Sequence, residues 1–162
     1  MRRILPFAFS VAGFVVLATS ACLLTACGGG GGGGSSGTLI NGIAVPPEPD
    51  PELNNTTVAG IDSNDNGVRD DVERHLAQQL GVDPARYSKA LAHARAEQTA
   101  ILTLTEEAVS KAISLIGCIR DDDTLAKIDS ATQLLLNTPE RRSAYVRAFA
   151  GTEVSLGEEC LP

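Results

Sequence analysis

The chain has 162 residues, 20 acidic and 13 basic, giving a formal charge of −7 and a pI near 4.7. That balance argues against nucleic acid or anionic headgroups as the main partner, because both repel a surface of their own sign. Aromatics make up only 4% of the chain and tryptophan is absent, so a core must rest on leucine, isoleucine, valine and alanine, which points to packed helices.

The first residues have the three parts of an export signal. Arg2 and Arg3 give a positive start, Ile4 to Leu24 an apolar stretch, and Leu24-Thr25-Ala26-Cys27 closes it. That closing run resembles the lipobox of bacterial lipoproteins, in which small residues precede an acylated cysteine. The resemblance implies cleavage before Cys27, a diacylglycerol on its thiol, and a further fatty acyl chain such as palmitate on its freed amine. The other readings are an ordinary secretory signal or a membrane helix, and a helix would explain neither the small residues nor the polyglycine that follows. Residues 1–26 are therefore expected to be a signal peptide, with the remainder held to a membrane through Cys27. Losing Arg2 and Arg3, and no acidic residue, leaves 11 basic against 20 acidic residues, a charge of −9. In lipoproteins an aspartate directly after the acylated cysteine favours inner-membrane retention. Gly28 stands there, which implies the outer membrane of the cell envelope.

Residues 27–59 read as the acylated cysteine and a flexible tether. Gly28 to Gly34 is unbroken glycine, continued by Ser35, Ser36 and Gly37, and glycine carries the largest entropy cost on ordering. Pro46, Pro47, Pro49 and Pro51 make the later part stiffer and extended. A coil of about thirty residues spans roughly 30 Å, enough to lift a small domain off a lipid surface.

Residues 62–73 read Asp-Ser-Asn-Asp-Asn-Gly-Val-Arg-Asp-Asp-Val-Glu, which matches the twelve-residue calcium loop of EF-hand proteins. Calcium is a hard cation that takes six to eight oxygens. Asp62, Asn64 and Asn66 hold positions one, three and five, which point inward as the chain curls. Gly67 permits the sharp turn. Val68 is expected to offer its backbone carbonyl, Asp70 to act through a water, and Glu73 to close the site with both oxygens. An Asn-Gly turn alone would explain Asn66-Gly67 but not Asp62 and Glu73 at their spacing.

Pro49, Pro51, Asn54, Asn55, Thr56, Thr57 and Gly60 oppose a helix entering the loop, and no second loop occurs in the sequence. A solitary loop with only an exiting helix is similar to dockerin-type extracellular calcium loops. The stretch from Gly60 to Leu76, with the signal and tether, resembles uncharacterised lipoproteins of Gram-negative bacteria, and that resemblance implies no particular activity. Two direct carboxylates imply modest affinity, roughly 10⁻⁵ to 10⁻³ M. A sensor would use a second hand and a methionine-lined groove, but the sole methionine is Met1. One structural Ca²⁺ is the expectation.

The fold class expected is all-α, a four- or five-helix bundle preceded by the solitary loop and a disordered tether. Residues 60–81 hold the loop and exiting helix, from about Arg69 to Leu80, with Val72, Leu76 and Leu80 as its apolar stripe. Residues 82–162 form the helical body. Asp83-Pro84 opens a helix with Tyr87, Leu91, Ala94, Ile101 and Leu102 inward. Thr105-Glu106-Glu107 either restarts or continues it, with Ala108, Val109, Ala112, Ile113 and Ile116 carrying the face onward. A further helix runs from about Thr124 to Leu136, and Thr138-Pro139 starts a last one ending near Gly151. No strand is expected. Cys118 and Cys160, in an oxidising compartment, are expected to form a disulfide worth roughly 4 kcal/mol.

Catalytic signatures are sparse. His93 and Glu97 stand at a spacing that can hold a metal, but no third ligand accompanies them. Asp121 to Asp123 read as a helix cap, His75 as a solvated helix residue, and Arg141 and Arg142 as exposed arginines beside Glu140. No nucleophile motif or phosphate loop occurs in the processed chain. The expected function is a calcium-stabilised, membrane-anchored module that binds or scaffolds an envelope protein and does not catalyse. The alternative is a small metal-dependent hydrolase or lytic accessory enzyme, which would need a cleft uniting His93, Glu97 and the acidic run.

Overall fold

The computed structural model describes residues 37–151. The signal, Cys27, the glycine run and Cys160 lie outside them. The chain is all-α apart from one small hairpin, with five helices of eleven residues or more among the described residues. None of them is long and apolar enough to cross a membrane.

The hairpin departs from the expectation of no strand. β1 (Thr38–Ile40) pairs antiparallel with β2 (Ile43–Val45), Ile40 opposite Ile43 and Thr38 opposite Val45. Asn41 and Gly42 turn the chain with φ of 50° and 83°, the turn that suits the twist of paired strands. Val45 is buried, and Asn41 Nδ2 donates to the carbonyls of Ala77 and Gln78 at 3.1 and 3.0 Å. Those carbonyls belong to the last turn of α2 (Asp70–Leu80). A single-turn helix, α1 (Pro51–Asn54), follows, capped by the Asp50 carboxylate and opened by Pro51 at its first position. Residues 38–59, expected as tether, thus fold onto the body.

Helix α2 buries Val72, Leu76 and Leu80, the expected stripe. Asp83 caps α3 (Pro84–Thr103), the central helix, which packs against α2 and against three later helices. Its buried alanines at 90, 94, 96 and 100 let those neighbours approach closely. Leu102, expected inward, is 46% exposed, because the helix ends one turn beyond Ala100. Leu104 takes a left-handed conformation there, and Thr105 caps α4 (Glu106–Gly117), so the chain restarts and does not continue.

Asp121 caps α5 (Asp122–Leu135), and Thr138 with Pro139 opens α6 (Pro139–Phe149). The main core gathers Val68, Val72, Leu76, Leu80, Ile101, Ile128 and Leu135, and a smaller one joins Ala100, Ala108 and Val109. Cys118, just after α4, is disulfide-bonded.

Candidate calcium loop

The loop curls because its own side chains take the backbone N–H groups that the turn exposes. Asp62 accepts from Asn66 N at 3.1 Å and from Gly67 N at 2.8 Å, one bond to each carboxylate oxygen. Asn64 Oδ1 accepts from Asn66 N, and Asn66 Oδ1 from Val68 N at 2.8 Å. Gly67 has φ of 83°, and a Cβ there would also press on the Arg95 side chain at 3.2 Å. The Val68 side chain is fully buried in the main core and fixes the loop's exit.

Glu73, one turn into α2, closes the far side. Its Oε2 accepts from Asn64 Nδ2 at 3.0 Å and Asn66 Nδ2 at 2.7 Å. Asp62, Asn64, Asn66 and Glu73 are therefore joined in one network. Asp70 is buried and accepts from Ser63 N at 2.9 Å, closing the loop across its base. Burial lifts its carboxyl above the ordinary range, aided by Asp62 and Asp71, against the lowering pull of the Ser63 bond. Tyr87 approaches Glu73 at 3.5 Å, and burial followed by that carboxylate holds its phenol well above its usual value.

The donor chemistry suits a hard cation. Asp62 and Glu73 carry carboxylates and Asn64 and Asn66 carry amide oxygens, the donor types that calcium takes. Both amides turn their N–H groups toward Glu73 and their oxygens toward the backbone N–H groups of Asn66 and Val68. Among the described residues no three of His, Cys, Asp and Glu gather as a metal-binding group. The loop draws half of these four side chains from asparagine.

Sequence reasoning did not find what braces the loop. Gln98 on α3 accepts from Arg69 N at 2.9 Å and donates to Ala59 O at 3.3 Å, tying the approach to the loop and its eighth position to the central helix. Arg69, at loop position eight, is fully buried, grips Asp71 with two nitrogens and donates to the carbonyls of Leu134 and Leu135. It thereby caps the C-terminal end of α5.

Arg141, expected exposed, is also fully buried. It donates to the carbonyls of Asn54, Thr57 and Val58 and to the side-chain oxygens of Asn55 and Asn137. Burial, then repulsion from Arg69, draws its pKa down to about 10, which leaves it charged at neutral pH. Arg142 is exposed, as expected, and donates to Leu136 O. Gly60 lies where the two buried arginines meet: a Cβ would collide with Arg69 Cδ and stand 2.8 Å from an Arg141 nitrogen.

The remaining candidates separate. Asp121 and Asp123 pair with Arg86 at 2.8 and 2.6 Å, and Asp121 also caps α5. His75 is half-buried and shares a 2.8 Å hydrogen bond with Ser130, and burial lowers its pKa. His93 and Glu97 face a cavity walled by α3, α4, α5 and α6, which does not include Asp121 to Asp123. The cleft that a hydrolase reading requires is not assembled from those residues. No family model matches this chain, and no curated protein or solved structure matches it either.

Proposed function

We propose that this protein is a lipid-anchored module of the bacterial cell envelope whose fold is stabilised by one Ca²⁺, and that it binds or scaffolds a partner protein without catalysing a reaction. The observation that carries the calcium reading is the single network joining Asp62, Asn64, Asn66 and Glu73. In it the only full negative charges are the two carboxylates expected as direct ligands. A bound cation supplies positive charge between Asp62 and Glu73. The chain supplies the curl, the Val68 anchor and the braces from Gln98 and Asp70, so the ion locks the start of α2 to the loop.

The anchor reading rests on the sequence from Arg2 to Cys27. It makes the membrane, outer more than inner, the first partner, and an envelope protein the second. The absence of the acidic run from the cavity that His93 and Glu97 line weighs against the hydrolase alternative.

The test is a thermal melt of the whole chain in excess EDTA and again in millimolar calcium, beside the double variant Asp62→Ala, Glu73→Gln. Calcium at a hundredfold excess over Kd stabilises the wild type by about 2.7 kcal/mol and leaves the variant unmoved. Equal melts of the wild type with and without calcium would remove the ion from this account. Labelling cells with an alkynyl fatty acid tests the anchor separately: wild type takes the label and Cys27→Ala does not.

A further inference from the structure

The cavity beside His93 and Glu97 measures about 490 Å³, within the range of pockets that hold small organic molecules. Its wall is mostly aliphatic, from Ile113 and Ile116 on α4 and Leu125 and Ile128 on α5. Ile113, Ile116 and Leu125 are only partly buried, so that side reaches solvent. Tyr145 and Phe149 of α6 stack with ring centroids 4.4 Å apart and line it too.

The polar groups facing this space are few and of one sign. Glu97 is 4% exposed, and its Oε2 accepts from Thr132 at 2.8 Å. Its other oxygen has no hydrogen bond among the described residues. His93 is 7% exposed and bonds to no described residue, though every fully enclosed side-chain nitrogen or oxygen has a partner. Its ring lines the cavity, and its nitrogens are not fully enclosed. Asp129 adds a second carboxylate, while no lysine or arginine lines the space among the described residues.

We propose that this cavity is a binding site for a small organic cation, an ammonium group on an apolar body. Glu97 holds the ammonium, aided by Asp129 and an acceptor nitrogen of His93, and the stacked aromatic faces favour the same charge. The isoleucines and Leu125 take the apolar body. Anionic amphiphiles such as fatty acids are disfavoured once Glu97 is ionised, because its carboxylate and that of Asp129 then face theirs with no lysine or arginine in the described lining. The inference concerns a site apart from the calcium loop and stands whether or not the loop binds calcium.

The test titrates the whole chain with three matched probes by calorimetry at pH 8, above the Glu97 pKa of about 7. It uses a non-ionic detergent whose micelles alone give the blank. 4-Phenylbutylamine is the cation, 4-phenylbutanol the neutral match and 4-phenylbutyrate the anion. The amine is expected to bind on the order of tenfold tighter than the alcohol, the gain of one charge-assisted contact, and the carboxylate not at all. Glu97→Gln, which keeps the shape, should erase the preference for the amine. Ile116→Phe should weaken amine and alcohol alike by filling the wall. Methyl NMR on the unsubstituted chain locates the amine independently, through shifts at Ile116 and Ile128. Equal binding of all three probes, absence of amine binding into the millimolar range, or shifts away from these methyls would overturn the proposal.

Discussion

Around Gly60 the buried arginines and amides are bonded on every side, whereas between α3 and α6 two ionisable side chains look into a cavity. In the first region Arg69 bonds the end of α5, Arg141 of α6 holds the segment before α2, Asn54 bonds Asp71 on α2, and Gln98 of α3 accepts from Arg69 N. In the second, His93 has no described partner and Glu97 has one. Both regions bury polar groups at a cost. A fully bonded interior specifies a structure, and a half-bonded one leaves binding capacity for something else. The predictions below are ways to break that contrast.

The largest effect belongs to the bonded region. Arg141→Ala would remove the donor of the buried Asn54 carbonyl and of the partly buried Thr57 and Val58 carbonyls, and would unlink Asn55 and Asn137 from α6, costing about 3–5 kcal/mol. Arg141→Lys should recover little, since one ammonium cannot span five acceptors spread over two segments. Chemical denaturation of the two variants measures this. A loss below about 1 kcal/mol would mean that the arginine is not the clamp.

The cavity region makes a prediction through pH. Burial lowers the His93 pKa to about 4 from 6.5, so the native state binds that proton less readily than the unfolded chain. This contribution makes stability rise with pH between about 4 and 6.5. Burial raises the Glu97 pKa to about 7 from 4.5, with a smaller push from Asp129 and a lowering bond from Thr132. The native state there holds its proton more tightly, so this contribution makes stability fall between about 4.5 and 7. Each shift corresponds to about 3 kcal/mol, and the two nearly cancel in the wild type. Glu97→Gln should therefore gain stability steadily from pH 4.5 to 6.5, and His93→Gln should lose it over the same interval. Parallel slopes in the two variants would show that the groups are solvated and that the contrast with Arg141 is not real.

What the sequence revealed follows from which forces act locally. Helices announced themselves through apolar spacing and caps: Asp83-Pro84, Asp121 and Thr138-Pro139 start helices where they were expected, within two residues. The loop was legible because Asp62, Asn64, Asn66 and Glu73 bond within twelve residues of each other. Arg69, Arg141 and Gln98 were not legible, since apart from Asp71 and Asn137 their partners lie 29 to 87 positions away along the chain. An arginine beside a glutamate carries no mark of burial until the fold delivers five acceptors to it. The His93 and Glu97 pair was visible as a spacing, but the cavity before it is made by three other helices. The hairpin was missed although Asn41-Gly42 between apolar runs is a strong local signal; the prolines beyond it drew the whole segment into the tether reading.

The smallest expected effect tests that last region. Asn41 does two separable things: its amide caps the final carbonyls of α2, and its backbone takes a left-handed turn position with φ of 50°. Asn41→Gly keeps the turn and deletes the amide, so it should cost about 1 kcal/mol, the net value of such hydrogen bonds. Asn41→Ala deletes the amide and also places a Cβ in the left-handed region, adding about 1–2 kcal/mol. The difference between the two variants in urea denaturation isolates the turn, and the glycine variant alone isolates the cap. If neither variant shifts the midpoint, the hairpin contributes nothing to the fold, and the bonded region would then begin at the segment that Arg141 clamps.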